Sequence, residues 1–96
     1  MKKKIYLISP DKIQKNFYFF LDKVLSNNNV KFFQLRLKKI KKNELIKIAK
    51  EIRKITKKYK VNFIINDYPN VSKIVNADGC HLGQNDKSLI NVKKYL

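Results

Sequence analysis

Apolar and polar positions alternate in two rhythms along this chain. Residues 4–8 form a short apolar run that stops at Ser9-Pro10, the pattern of a buried strand. From Asp11, read as a helix cap, apolar residues recur at helical spacing: Ile13, Phe17, Phe20, Leu21 and Val24. Polar residues 26–29 break that helix. Residues 30–38 return to strand, with Phe33, Leu35 and Leu37 alternating against Gln34, Arg36 and Lys38. Asn43 is placed to cap a second helix, whose stripe is Leu45, Ile48, Ala49, Ile52, Ile55 and Tyr59. A third strand over residues 61–65 runs into Asn66-Asp67, and Pro69 opens a short helix through Val71, Ile74 and Val75. Residues 78–82 predict a fourth strand. Gly83-Gln84-Asn85-Asp86 then leads to a last helix carrying Leu89, Val92 and Leu96.

Strands that alternate with helices place the chain in the α/β class, with a parallel sheet and crossover helices. An open doubly wound sheet and a (β/α)8 barrel of TIM type share that order. Short turns leave no linker, so residues 1–96 read as one domain. A barrel takes roughly 200–250 residues. Read as a barrel, this chain would supply only the first four βα units, a half barrel.

Composition changes the picture in two places. The hydrophobic fraction of 44% is that of a globular chain. One cysteine, Cys80, excludes an internal disulfide and a CxxC metal knuckle, which fits a reducing cytoplasm. The opening lysines are followed by too short an apolar run for a signal peptide, and no stretch reaches a membrane span. The net charge of +16 points toward nucleic acid. Against that partner, Lys, Asn and Ile, all with A/T-rich codons, number 21, 11 and 12, while Arg appears only at 36 and 53. The lysines are also spread along the chain, which reads as a solvated, composition-driven surface that attracts anionic substrates.

In parallel β/α folds ligands bind at the carboxyl ends of strands. The second strand ends in Gln34, Arg36 and Lys38 on one face, a donor set suited to a pyrophosphate. A solvated face on an edge strand is the alternative. Asp67 and Asp86, at the ends of neighbouring strands, can share a magnesium ion that keeps positions open for phosphate oxygens and water. The alternative is that each caps the helix after it, an even choice for Asp86 alone. Asp67 and the strand of Gln34, Arg36 and Lys38 together favour the site. Cys80 reads as a small core residue and His81, the single histidine, as a group orienting the Asp86 turn. Phe17, Tyr18, Phe19 and Phe20 read as helix packing, and Asp78-Gly79 as a tight entry to the fourth strand.

These segments resemble the thiamine phosphate synthase family. It opens with a strand like Tyr6-Leu7-Ile8-Ser9-Pro10 and has a second strand of the form Q-x-R-x-K, here Gln34 to Lys38. A third strand ends in Ile65-Asn66-Asp67, and Ala77-Asp78-Gly79-Cys80-His81-Leu82-Gly83-Gln84-Asn85-Asp86 matches its A-D-G-x-H-L-G-Q-x-D. The likeness runs in order along essentially the whole chain and implies a (β/α)8 barrel, of which residues 1–96 are the N-terminal half. It implies transfer of hydroxymethylpyrimidine diphosphate onto thiazole phosphate, with release of pyrophosphate. Gln34, Arg36, Lys38 and Asn66 would contact the diphosphate, Arg36 and Lys38 acting catalytically on the departing pyrophosphate. Asp67 and Asp86 would hold magnesium. Tyr68 departs from the arginine or acidic residue often found after I-N-D. The family's serine, its threonine/lysine-rich loop and its glycine-rich turns belong to a second half that these residues do not contain. A truncated or split enzyme is expected, completed by a C-terminal half or by self-association. The alternatives are a non-catalytic diphosphate-binding or regulatory half barrel and a thiazole tautomerase-like protein.

Overall fold

The computed structural model describes residues 5–27, 29–81 and, as backbone, 89–90. Four strands lie parallel in one sheet: β1 (Ile5–Ile8), β2 (Val30–Leu35), β3 (Asn62–Asn66) and β4 (Gly79–His81). Between them run α1 (Phe17–Leu25), α2 (Lys42–Lys58) and α3 (Pro69–Ile74). The sheet order is sequential from β1 to β4 and continues to β5 (Leu89–Ile90). A doubly wound sheet reverses its strand order at a switch point. Among the described strands no reversal occurs.

Register and burial separate the two faces of the sheet. Leu7, Phe33, Phe63 and Ile65 point to the side where Leu21, Leu25, Leu45, Ala49, Ile52 and Val71 of the helices close the core. The rings of Phe33 and Phe63 stack with centroids 6.3 Å apart at its centre. Burying such side chains contributes about 1.5–3 kcal/mol each. The opposite face carries Tyr6, Phe32, Gln34, Ile64, Asn66 and His81.

The second helix matches its sequence period, with Leu45, Ala49, Ile52 and Thr56 buried at spacings of four, three and four. Its cap does not. Lys41 in extended conformation precedes the first turn, and Asn43 lies inside it. The first helix starts at Phe17, six residues after the expected cap Asp11. Ser9 holds the chain against the end of β2 through its N–H on the Gln34 carbonyl at 2.9 Å, and helix begins only where Phe17 reaches Phe33. Its buried stripe is Leu21 and Leu25, flanked by Phe17 and Tyr18. Phe20 and Val24, expected inside, are exposed, as is Phe19.

Two further expectations are corrected. The β2 ladder stops at Leu35, not at Lys38. The Arg36 N–H bonds the Ser9 side-chain oxygen at 2.9 Å in place of another backbone rung, and Pro10 has no N–H with which to extend β1. Leu89–Ile90, expected in a fourth helix, pairs antiparallel with β4. An edge strand leaves a row of unpaired backbone groups, and pairing with Cys80 and His81 meets that demand. The described residues thus hold three βα units, a fourth parallel strand and an antiparallel fifth, and β4 is not a raw edge.

Candidate functional site

The carboxyl ends of β2, β3 and β4 converge on an open cleft of about 490 Å³, within the usual size of small-molecule sites. Gln34, Arg36, Lys38, Asn66 and Asp67 all line it. Asp86 lies outside the described residues. Leu37, Lys39, Tyr68 and His81 line the cleft as well.

Each side chain reaches the cleft by a definable local route. Gln34, the last residue but one of β2, is buried, and its Nε2 donates to the Tyr6 hydroxyl at 3.0 Å. The Tyr6 ring in turn stacks on Phe32 at 5.5 Å. Arg36 and Lys38 follow the end of the ladder and are exposed, where a ligand in solution can reach both cations. Lys38 lies 4.0 Å from Asp11, both side chains two-thirds exposed, a pairing worth little in water. Lys39 turns the chain in the left-handed region at φ 51°.

The end of β3 is strained. Asp67 and Tyr68 both adopt positive φ, 58° and 56°, a conformation that costs a non-glycine residue about 1–2 kcal/mol. The Asp67 N–H is held by the His81 carbonyl at 2.7 Å, and the Asp67 carbonyl accepts from the Cys80 thiol at 3.2 Å. Burial pushes that thiol above its ordinary 9.0, so Cys80 stays protonated and serves the turn as a donor. Asn66 Nδ2 donates to Asp67 Oδ2 at 3.1 Å, and its Oδ1 lies 3.3 Å from His81 Nδ1.

Three cations at 36, 38 and 39 face one carboxylate at 67 across the described lining, a balance that favours an anionic ligand. Among the described residues no group of three or more His, Cys, Asp or Glu could hold a metal alone. Asp67 is nevertheless an exposed hard oxygen donor in a cleft lined also by the exposed cations Arg36, Lys38 and Lys39. Magnesium is commonly held by one or two carboxylates together with phosphate oxygens and water, so this donor chemistry fits it.

The sequence matches the family described as thiamine monophosphate synthase over residues 5–96. The chain belongs to that family. It is 54% identical to the thiamine-phosphate synthase of Pelagibacter ubique over 96 residues, covering 99% of this chain and 46% of that protein. With the thiamine-phosphate synthase of Fusobacterium nucleatum the identity is 38% over 95 residues, 97% of this chain and 46% of the relative. A solved thiamine phosphate pyrophosphorylase from Pyrococcus furiosus superposes with a TM-score of 0.74 at 29% identity. That match covers 91% of this chain and 42% of the solved one. This member of the thiamine monophosphate synthase family thus spans about half the length of the curated relatives it matches.

Sequence reasoning missed Lys39 and Ser9. Lys39 is one of 21 lysines and shares its left-handed backbone with Lys60, so no local signal singles it out. Ser9 binds the Arg36 N–H across 27 residues, a contact with no local signal beyond a Ser-Pro strand end.

Proposed function

We propose that this chain provides the diphosphate half of a thiamine phosphate synthase site. The observation that carries the reading is the convergence of Gln34, Arg36, Lys38, Asn66 and Asp67 on one cleft. The substrate it would take is hydroxymethylpyrimidine diphosphate, and the acceptor is thiazole phosphate. Arg36 presents a planar fork to the diphosphate and Lys38 a compact charge. As the pyrimidine carbon–oxygen bond ionises, negative charge grows on the leaving pyrophosphate, and these cations stabilise it there more than in the ground state. Gln34, anchored on Tyr6, and Asn66, anchored on Asp67, orient the substrate. The thiazole nitrogen then captures the pyrimidine cation. Asp67, with Asp86, would hold magnesium, which when bound supplies charge neutralisation at the pyrophosphate.

The sequential strand order and the exposed face of β1 support a TIM-type barrel wall of which residues 1–96 are one half. A complementing half or a second copy would close it. No helix among the described residues is long and apolar enough to cross a membrane, and the free Cys80 supports a cytoplasmic setting. The test is thiamine phosphate formation from the two substrates with magnesium, by the purified chain and by Asp67→Ala. Product that vanishes in Asp67→Ala supports the reading. Absence of both product and magnesium-dependent pyrophosphate binding overturns it, and binding without product assigns turnover to a complementing half.

A further inference from the structure

We infer that His81 is a positioning residue whose Nδ1–H fixes the Asn66 side-chain amide, so that Asn66 offers the cleft a donor. The inference rests on the diphosphate reading for its consequence, but its geometry stands apart from it.

The amide has two orientations, and its neighbours select one. Asn66 Nδ2 sits 3.1 Å from Asp67 Oδ2. Reversing the amide would set its oxygen against a carboxylate oxygen, two acceptors at hydrogen-bond distance. The nitrogen therefore faces Asp67, and the amide oxygen faces His81 Nδ1 at 3.3 Å. An oxygen there needs a proton on Nδ1. His81 thus carries its proton on Nδ1 when neutral, leaving Nε2 as the acceptor.

The ring that makes this bond is itself fixed by the fold. His81 is the last residue of β4, its Cα partner across the ladder is Asn66, and its carbonyl accepts the Asp67 N–H at 2.7 Å. One strand end therefore holds both the backbone of Asp67 and the side chain beside it. The second Nδ2 hydrogen of Asn66 remains for a ligand, the polarity an anionic oxygen requires. Without His81, the amide of this half-buried residue keeps only its Asp67 contact, and the side chain can swing its nitrogen away from the ligand. Outer-shell partners that orient metal ligands typically matter 10–100-fold in metal affinity or activity. An effect of about the lower end of that range is expected for His81 behind Asn66.

Only one histidine is present, so its ring nitrogens can be observed without ambiguity. Long-range proton–nitrogen spectra of the full chain, recorded with the ring neutral, should show the Nδ1–H tautomer. A dominant Nε2–H tautomer overturns the inference. Binding of inorganic pyrophosphate with magnesium should weaken at least about tenfold in His81→Phe. It should recover in His81→Asn, whose amide N–H can occupy the Nδ1 position. Unchanged affinity in His81→Phe overturns the positioning role, as does failure of His81→Asn to recover. If wild-type chain binds no pyrophosphate, the diphosphate reading fails, and the tautomer still decides for or against the His81–Asn66 bond.

Discussion

Arg36 and Lys38 leave the β2 ladder before they reach the cleft, and that sets what each contributes. Neither is packed in the core, so Arg36→Ala should leave thermal stability within about 0.5 kcal/mol of wild type. The same change should lower magnesium-dependent pyrophosphate affinity by about 1.5–3 kcal/mol, the range for a hydrogen bond to a charged group. Titration calorimetry reads it. Arg36→Lys should recover only part, since an ammonium cannot reproduce the guanidinium fork. Cys80 gives a second residue-scale expectation. Its buried thiol, held above its ordinary value first by desolvation, should resist alkylation at neutral pH and react once the chain is denatured. The cleft residues that were legible in the sequence owe this to place. Polar groups at the ends of consecutive buried strands need partners, which marks Gln34, Asn66 and Asp67. Lys39 and Ser9 carry no such mark, because one hides among many lysines and the other acts through a backbone N–H.

At the scale of elements, two side-chain ties hold the helices where the cleft needs them. Arg53 on α2 forms a two-pronged pair with Asp78 at the entry to β4, with Nη1–Oδ2 2.8 Å and Nη2–Oδ1 3.4 Å. The same carboxylate accepts the Phe63 N–H at 2.7 Å, so one residue joins α2, β3 and β4. Both side chains are more than four-fifths buried, at 15% and 19% exposure. Arg53→Ala should therefore cost about 2–3 kcal/mol, somewhat less than for a fully buried pair. Circular dichroism should register that loss as a Tm drop on the order of 10 °C. The second tie joins α1 to α2, where the Tyr59 hydroxyl and Lys58 both donate to Asp22. The Tyr59 hydrogen bond is the first cause holding the Asp22 carboxyl below its ordinary 3.8, with Lys58 assisting. A lowered folded value means stability that is complete above the unfolded value and lost as pH falls through the folded one. Wild type should accordingly exceed Tyr59→Phe in denaturant midpoint at neutral pH, and the gap should close in acid below the ordinary carboxylate value. A gap that stays constant would place the contribution of Tyr59 in packing. The element pattern itself was readable where burial enforces a period, as in α2. It was not readable where tertiary contacts decide. Asp11 sits in a loop that Ser9 ties to β2, Asn43 falls inside a turn that Lys41 begins, and Leu89–Ile90 answers the open edge of β4.

For the whole molecule, charge and edge oppose one another. β1 has a strand neighbour on one side only among the described residues, and Ile5, Tyr6 and Ile8 are each about half exposed. An open apolar edge invites another strand. The net charge of +16 resists it, since two copies brought together bring two such charges into one volume. The balance depends on screening, whose length falls from about 30 Å at 0.01 M salt to about 3 Å at 1 M. Sedimentation of the purified chain should show monomer in dilute salt and association as salt rises, the reverse of an assembly held by ion pairs. Hydrophobic contacts strengthen under the same change, so both terms act in one direction. Ile8→Lys tests the location, because a charge on the exposed side chain of an edge strand blocks pairing without touching the core. If Ile8→Lys remains monomeric at every salt concentration, the β1 edge is the contact and a second copy can stand where a complementing half would. If association persists in Ile8→Lys, the contact lies elsewhere, and the exposed Phe19–Phe20 pair on α1 becomes the surface to change next.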